Sequence, residues 1–190
     1  LFTAQAFITS DANNQQLITF HPGAMDFAHE VLLAPLFHEK QGESWVIIAP
    51  NGRQAMIDHA AACIQHNMPH IFDPGQGLPM FDGDTLRHFI QQAQAVMVNE
   101  YECAMLCERT EWSRAEIAAQ TPVFIVTEGA AGSVLYQNQS EKRIHVTPVE
   151  DVLDPTGCGD ALRGGLLWAL EKGLSWEVGL QLGSVLAAFN

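Results

Sequence analysis

The sequence predicts an α/β domain with a central, mostly parallel sheet and helices on its faces. Short apolar runs, of the kind found in buried parallel strands, alternate along the chain with segments of helical periodicity. The chain has 190 residues, of which 47% are hydrophobic and 16% charged, and this is enough for one well-packed core. We therefore expect residues 1–190 to form a single domain.

The predicted elements follow one another in the order that such a domain requires. Two extended segments, residues 3–9 and 16–20, flank a polar stretch that predicts a turn. The buried strands that we expect are residues 45–49, 70–72, 95–98 and 123–127. The helices that we expect to connect and follow them are residues 54–66, 84–94, 100–109 and 113–120. A hairpin across residues 133–146 and two closing helices, of which the first covers residues 161–170, complete the pattern.

The acidic composition argues against some classes of partner. The formal net charge is −13 and the chain has only nine Lys and Arg residues, so we expect no nucleic-acid surface. The apolar runs are short and interrupted by charge, so we expect neither a signal peptide nor a membrane span. Four sparse cysteines lack the spacing of a disulfide framework, which is typical of reduced thiols in a cytoplasmic protein.

The segment DPTGCGD, residues 154–160, carries the strongest chemical signal. Gly157 and Gly159 let the backbone approach a bound group, and an apolar helical run follows. Backbone N–H groups at a helix start favour an anion, so a transferring phosphoryl group fits against residues 157–160. Asp160 in the first turn is either an ordinary acid that complements the helix dipole or a base that takes a proton from a substrate hydroxyl.

Three motifs in the expected order resemble those of one enzyme family. They are DPTGCGDA at residues 154–161, NEYE at residues 99–102 and TEGAAG at residues 127–132. A single glycine-rich turn recurs by chance, but three motifs at matching spacing are a strong signal. The chain resembles the PfkB, or ribokinase-like, carbohydrate and nucleoside kinases. This resemblance implies a three-layer fold of helices, sheet and helices, with a small β lid within residues 1–22.

The resemblance also implies a phosphoryl-transfer site at the C-terminal motif. Asp160 would be the catalytic base. The backbone N–H groups of residues 157–160 would form the anion hole, the group of donors that holds the transferring phosphoryl group; its residues before the base are Gly157, Cys158 and Gly159. Asp154 and Thr156 lie where some relatives bind a monovalent cation, so potassium dependence is a hypothesis.

The other two motifs imply the nucleotide and metal sites. Asn99 would contact the phosphates of ATP, and Glu102 would bind Mg²⁺ through water, since Mg²⁺ keeps several of its waters. Thr127, Gly129 and Gly132 would shape the nucleotide pocket. As a structural alternative, Glu102 is an ordinary first-turn helix acid.

Three nearby residues depart from the family pattern. Pro155 stands where many members have threonine, and it is small enough to preserve the turn. Cys158 stands where alanine is most common, and it is either a reactive thiol at a helix start or a packing residue. Arg163 occupies a position that many relatives fill with an uncharged residue. It either reaches a phosphate or a carboxylate, or lies on a solvated helix face.

The chain matches only the C-terminal part of the family pattern. Family members usually begin with a further segment that carries a Gly-Gly motif and most acceptor-binding residues, so we expect a fragment that is incomplete at both ends. Substrate identity depends most on that segment. The motifs look most like those of bacterial adenosine or sugar kinases.

We therefore predict transfer of the γ-phosphate of ATP to a hydroxyl of adenosine, with ribose- or fructose-type sugars as the next candidates. A noncatalytic nucleotide-binding or oligomerising module is the alternative. In a homodimer, the extended segments near the N-terminus would pair with a second chain.

Overall fold

The computed structural model describes residues 1–10, 16–39, 44–148 and 156–189. The chain begins with an antiparallel hairpin of β1 (Gln5–Ser10) and β2 (Gln16–His21), which forms a separate two-stranded sheet. The main sheet of the described residues has six strands, which lie side by side in chain order: β3 (Val46–Ile48), β4 (His70–Phe72), β5 (Ala95–Asn99), β6 (Val123–Thr127), β7 (Ser133–Gln137) and β8 (Ser140–Ile144).

The main sheet is mixed, and most of its pairings are parallel. Strands β3 to β6 are parallel to one another, whereas β7 and β8 add an antiparallel hairpin at the edge beside β6. Parallel strands have their carboxyl ends at the same edge of the sheet, so the loops after β4, β5 and β6 lie together. The predicted sheet, including its closing hairpin, is confirmed.

Seven α-helices connect or follow the strands in the described part of the chain. They are α1 (Ala34–Glu39), α2 (Arg53–Gln65), α3 (Gly83–Gln92), α4 (Glu100–Thr110), α5 (Arg114–Gln120), α6 (Cys158–Glu171) and α7 (Trp176–Ala188). Three elements have no counterpart in the sequence prediction: α1 and the 3-10 helices Gly23–Glu30 and Gly75–Met80. A further short 3-10 helix, Gly129–Ala131, lies within the predicted TEGAAG turn. Helix α6 begins three residues before the predicted start. None of the described helices has the length and apolar character needed to cross a membrane.

Two apolar clusters show that the sheet lies between two helical layers. Alternate side chains of a strand point to opposite faces, and Val96 of β5 belongs to one cluster while Met97 belongs to the other. Helices α2 to α5 cover the face of Val96, and α6 and α7 cover the face of Met97. The three-layer arrangement predicted from the resemblance is confirmed.

Helix α6 is held in place by both the sheet and α7. Leu166 and Leu170 are buried against the strands. Where α6 crosses α7, a Cβ added to Gly165 would lie 2.5 Å from the Cα of Gly183, so the two backbones are in close contact. Small residues allow this approach, and they fix the position of the N-terminus of α6 relative to the sheet.

Candidate active site

Polar residues follow three neighbouring strands at one edge of the sheet. Asp73 comes directly after β4, and its backbone N–H donates to the carbonyl of Ile48 at 3.0 Å. Asn99 and Thr127 are the last residues of β5 and β6, and they lie directly opposite each other in the strand register. Two of the predicted motifs therefore begin side by side at the carboxyl edge of the sheet, as the sequence predicted.

Asn99 and Glu102 form a capping box at the start of α4. The Asn99 side chain accepts from the backbone N–H of Glu102, and the Oε2 atom of Glu102 accepts from the backbone N–H of Asn99, both at 2.8 Å. These bonds satisfy two backbone donors at the helix start and orient the Glu102 side chain. The second oxygen, Oε1, faces the turn after β4, since a Cβ added to Gly75 would lie 3.9 Å from it.

The TEGAAG motif forms a tight turn between β6 and β7. Glycines stand at its two positions of positive φ, Gly129 at 53° and Gly132 at 96°. The backbone N–H of Glu128 donates to the carbonyl of Gly132 at 2.7 Å, which closes the turn. Glycine adopts positive φ without the strain that a Cβ brings, so the sequence of this motif explains its shape.

Glu128 joins this turn to two arginines. Its side chain is only 10% exposed and accepts from Arg143 at 2.7 Å and from Arg114 at 3.3 Å. Arg143 also donates to the carbonyl of Ala131 at 3.2 Å. The hydrogen bond from Arg143, together with the positive charge of both arginines, lowers the pKa of Glu128. The turn is therefore stiffened by an ion-pair network that the motif alone does not reveal.

The glycine-rich C-terminal motif opens α6. Gly157 is the N-terminal cap with φ 86°, and the Ala161 N–H donates to the Gly157 carbonyl at 2.9 Å. Helix geometry leaves the earlier N–H groups of this first turn without a carbonyl acceptor inside the helix, and this is the usual basis of anion binding at a helix start. The thiol of half-buried Cys158 contacts the Ala187 carbonyl at 3.6 Å, which favours the packing interpretation of this cysteine.

Asp160, the third residue of α6, is tied to the sheet edge through Arg163. The Asp160 carboxylate is 86% exposed and accepts from Nη1 of Arg163 at 3.2 Å. The same guanidinium makes two bonds to Asp73, through Nε to Oδ2 and through Nη2 to Oδ1 at 3.1 Å. The Asp73 side chain is completely buried. Of the two interpretations of Arg163, the structure therefore supports pairing with carboxylates.

Four charged groups meet where α6 approaches the sheet: Asp73, Glu102, Asp160 and Arg163. Burial raises the pKa of Asp73, and the hydrogen bonds from Arg163 oppose that rise. Burial also raises the pKa of Glu102, with the Asp73 charge adding to the effect. For Arg163, burial opposes its positive charge, but bonds to Asp73 and the charges of the three acids outweigh burial and raise its pKa.

This arrangement brings most of the predicted site residues to one side of the molecule. Through Arg163 it links Asp160 and the α6 start to the sheet edge that carries Asn99 and Glu102. Thr156 lies just before α6, whereas Asp154, the other predicted ligand of a monovalent cation, lies outside the described residues. From sequence, the turn at residues 73–76 is expected at this same edge because it follows a buried strand, although a plain turn there needs no function. No site role was predicted for Asp73 itself, because its partner Arg163 is 90 positions away.

The family model described as pfkB family carbohydrate kinase matches residues 2–190 of the chain. Among solved structures, the nucleoside kinase of Burkholderia thailandensis in complex with inosine is 42% identical, with a TM-score of 0.91. The match covers 98% of this chain and 60% of that one. The same enzyme has been solved in complex with ADP-inosine, with a TM-score of 0.89 and the same identity over 98% of this chain and 57% of that one.

A curated relative is also a nucleoside kinase and also matches nearly the whole chain. The nucleoside kinase of Methanocaldococcus jannaschii is 29% identical over 187 residues, which are 98% of this chain and 60% of that protein. Ribokinase from Thermotoga maritima has the same fold, with a TM-score of 0.79 at 22% identity over 98% of this chain and 62% of that one. The chain thus spans about 60% of the length of these relatives.

Proposed function

Because the chain belongs to the pfkB family of carbohydrate kinases, we propose that it carries the phosphoryl-transfer site of an ATP-dependent kinase of nucleosides or sugars. The observation that supports this most is the link from Asp160 through Arg163 to the sheet edge. It places an exposed carboxylate at a glycine-rich helix start, beside the carboxyl edge of a parallel sheet, where ligands of such folds bind.

The proposed reaction follows from the chemistry of these groups. The acceptor hydroxyl oxygen forms a bond to the γ-phosphorus of ATP while the bond from that phosphorus to the bridging oxygen breaks, and ADP leaves. The hydroxyl proton passes to the Asp160 carboxylate. Backbone N–H groups of residues 157–160 hold the negative charge of the transferring group, and the helix dipole adds to their effect. We assign the turn at Thr127, Gly129 and Gly132 to the nucleotide.

The Glu102 carboxylate at the start of α4 fits a role in binding Mg²⁺. Hard oxygen donors suit this ion, and the capping box engages Oε2 of Glu102 while Oε1 faces the neighbouring turn. When bound with ATP, Mg²⁺ offsets the charge of the phosphates. We propose that Glu102 binds the metal through water, and that Asn99 orients Glu102 and lies beside the phosphates of ATP.

Replacing Glu102 with glutamine separates metal binding from helix capping. Glutamine also completes a capping box, so we expect the melting temperature to change by less than about 3 °C. Loss of the carboxylate charge should weaken Mg²⁺-dependent ATP binding, measured by titration calorimetry, by roughly tenfold.

Glu116→Gln is the matched control for this change, because Glu116 forms the equivalent capping box with Ser113 on α5. Equal ATP affinity in the Glu102→Gln and Glu116→Gln proteins would contradict the metal role.

We propose a nucleoside as the acceptor. The relative with inosine and ADP-inosine complexes is 42% identical to this chain, compared with 29% and 22% for the other two relatives described above. Adenosine is a specific candidate beside inosine. The test is ADP release by the full-length gene product with Mg-ATP and each of adenosine, inosine, cytidine, ribose and fructose. Turnover with nucleosides alone would support the proposal, and turnover with ribose or fructose alone would make the protein a sugar kinase. No turnover with any acceptor would favour a noncatalytic nucleotide-binding module.

Dependence on potassium remains a proposal that the resemblance supports. Thr156 and Asp154 would contribute oxygen ligands. The measurement is the same turnover assay in potassium, sodium and choline buffers of equal ionic strength. We expect the highest rate in potassium, and equal rates in all three would contradict the proposal.

A further inference from the structure

Arg163 lies against both parts of the proposed transfer site. Its Nη1 atom donates to the Asp160 carboxylate at 3.2 Å, and a Cβ added to Gly159 would lie 2.9 Å from the same nitrogen. The guanidinium therefore packs over the backbone of the anion hole while it holds the base. Gly159 leaves room for it, because any larger residue would displace the end of the arginine side chain.

A buried anchor keeps the guanidinium in this place. Two hydrogen bonds join it to Asp73, which is 90 positions away in sequence and lies at the carboxyl end of β4. A paired arginine and carboxylate have a fixed mutual orientation, because two parallel bonds restrict rotation. The Asp160 carboxylate, in contrast, is exposed, and without a partner it would rotate freely among its rotamers.

The charge balance gives the same residue a second role. The guanidinium contacts the carboxylates of both Asp73 and Asp160, and the charge of Glu102 also acts on it. A transferring phosphoryl group would bring further negative charge to the same place. Positive charge that is already in position stabilises such a group without any rearrangement during the reaction.

We propose that Arg163 is a positioning residue for phosphoryl transfer. Anchored on buried Asp73, it holds the Asp160 carboxylate at the start of α6 and supplies positive charge beside the anion hole. This inference rests on the proposed kinase function and adds a residue to it. Both roles act on the transfer step itself, so removal of Arg163 lowers kcat more than it weakens the binding of either substrate.

The main variant is Arg163→Met, measured by steady-state kinetics in the full-length gene product. We expect kcat to fall by roughly tenfold to 100-fold, and the KM values for ATP and acceptor to stay within about threefold of the parent. Arg163→Lys restores a positive charge but cannot make the bidentate pair with Asp73, so it should recover only part of kcat.

A matched control exists on α3. Arg87 pairs with Asp84 three residues earlier, just as Arg163 pairs with Asp160, and the two arginines are equally exposed at 30% and 29%. Arg87 lies outside the proposed site. Arg87→Met removes its pair with Asp84 and its hydrogen bond to the Thr110 carbonyl, neither of which involves a residue of the proposed site, so kcat should stay within about twofold of the parent.

Loss of Arg163 leaves Asp73 as a buried, unpaired charge, so Arg163→Met alone is expected to lower stability. The double variant Asp73→Asn with Arg163→Met removes both charges. We expect it to recover most of the lost melting temperature but none of the lost kcat. If Arg163 only supported the fold, the double variant would recover the melting temperature and kcat together.

A double-mutant cycle tests whether Arg163 acts through Asp160. Adding Arg163→Met to Asp160→Asn should lower the residual rate by a clearly smaller factor than Arg163→Met lowers the parent rate, since the base it positions is already gone and only its charge beside the anion hole is still lost. Equal losses in the two backgrounds, or a kcat of Arg163→Met like that of Arg87→Met, would overturn the inference. If the parent protein transferred phosphate to no acceptor, the proposed function itself would fail, which is a different result.

Discussion

Replacing Asp160 with asparagine is expected to lower kcat by about 10³-fold, within the 10²- to 10⁴-fold range typical of a lost general base. The asparagine side chain is nearly the same size and can still accept the hydrogen bond from Arg163. It cannot take the proton of the acceptor hydroxyl. Because Asp160 is exposed and makes its contact within one helical turn, we expect the melting temperature to fall by no more than about 3 °C.

Two measurements test this. ADP release with Mg-ATP and the best acceptor gives the rate, and titration calorimetry gives the affinity for the nucleotide. Asp84→Asn is the matched control, since Asp84 is a similarly exposed helix acid paired with an arginine three residues later. We expect nucleotide affinity to be retained in both variants and the rate to be lost only with Asp160→Asn. A rate within tenfold of the parent would show that Asp160 is not the base.

Replacing Gly132 with alanine is expected to have the largest effect on stability. Gly132 has φ 96° and ψ −137°, a conformation that L-residues rarely adopt. An added Cβ would also lie 2.1 Å from the carbonyl oxygen of Ile144, which belongs to the last strand of the sheet. Strain and overpacking together should cost about 4 kcal/mol, which lowers the melting temperature by roughly 10 °C in a chain of this size.

Gly129 is the matched control in the same turn. Its φ is 53°, and an added Cβ would meet no described atom within 4 Å. Gly129→Ala therefore carries only the cost of the left-handed conformation, about 1 kcal/mol, and should lower the melting temperature by roughly 3 °C. Thermal denaturation of Gly132→Ala, Gly129→Ala and the parent protein compares their melting temperatures. Equal shifts would contradict the role of the Ile144 contact.

Much of the fold could be predicted because its signals are local. The buried strands were recognised as short apolar runs, and the helices between them by their periodicity. Helix starts such as the capping box of Asn99 and Glu102 depend on residues three positions apart. The elements that were missed are of a different kind. The short helix α1 and the 3-10 helices at 23–30 and 75–80 have too few residues for a clear period.

The candidate site also has a part that local motifs predict and a part that depends on contacts between distant elements. Asp160, the glycines of its motif and the TEGAAG turn were recognised from sequence, because each motif lies within eight consecutive residues. The placement of Asn99 beside Thr127 also followed from sequence, since parallel strands end at a common edge. The two arginines on Glu128 come from α5 and β8, so no local pattern pointed to them.

The sequence by itself determined the family, the α/β layout and the carboxylate proposed as the base. Only the tertiary structure decided what that carboxylate contacts through Arg163. The ion pair of Arg163 with Asp73 joins residues 90 positions apart, and it exists because α6 packs on the sheet and against α7 at one position. Local preferences act over a few residues, whereas such a pair depends on the packing of whole elements.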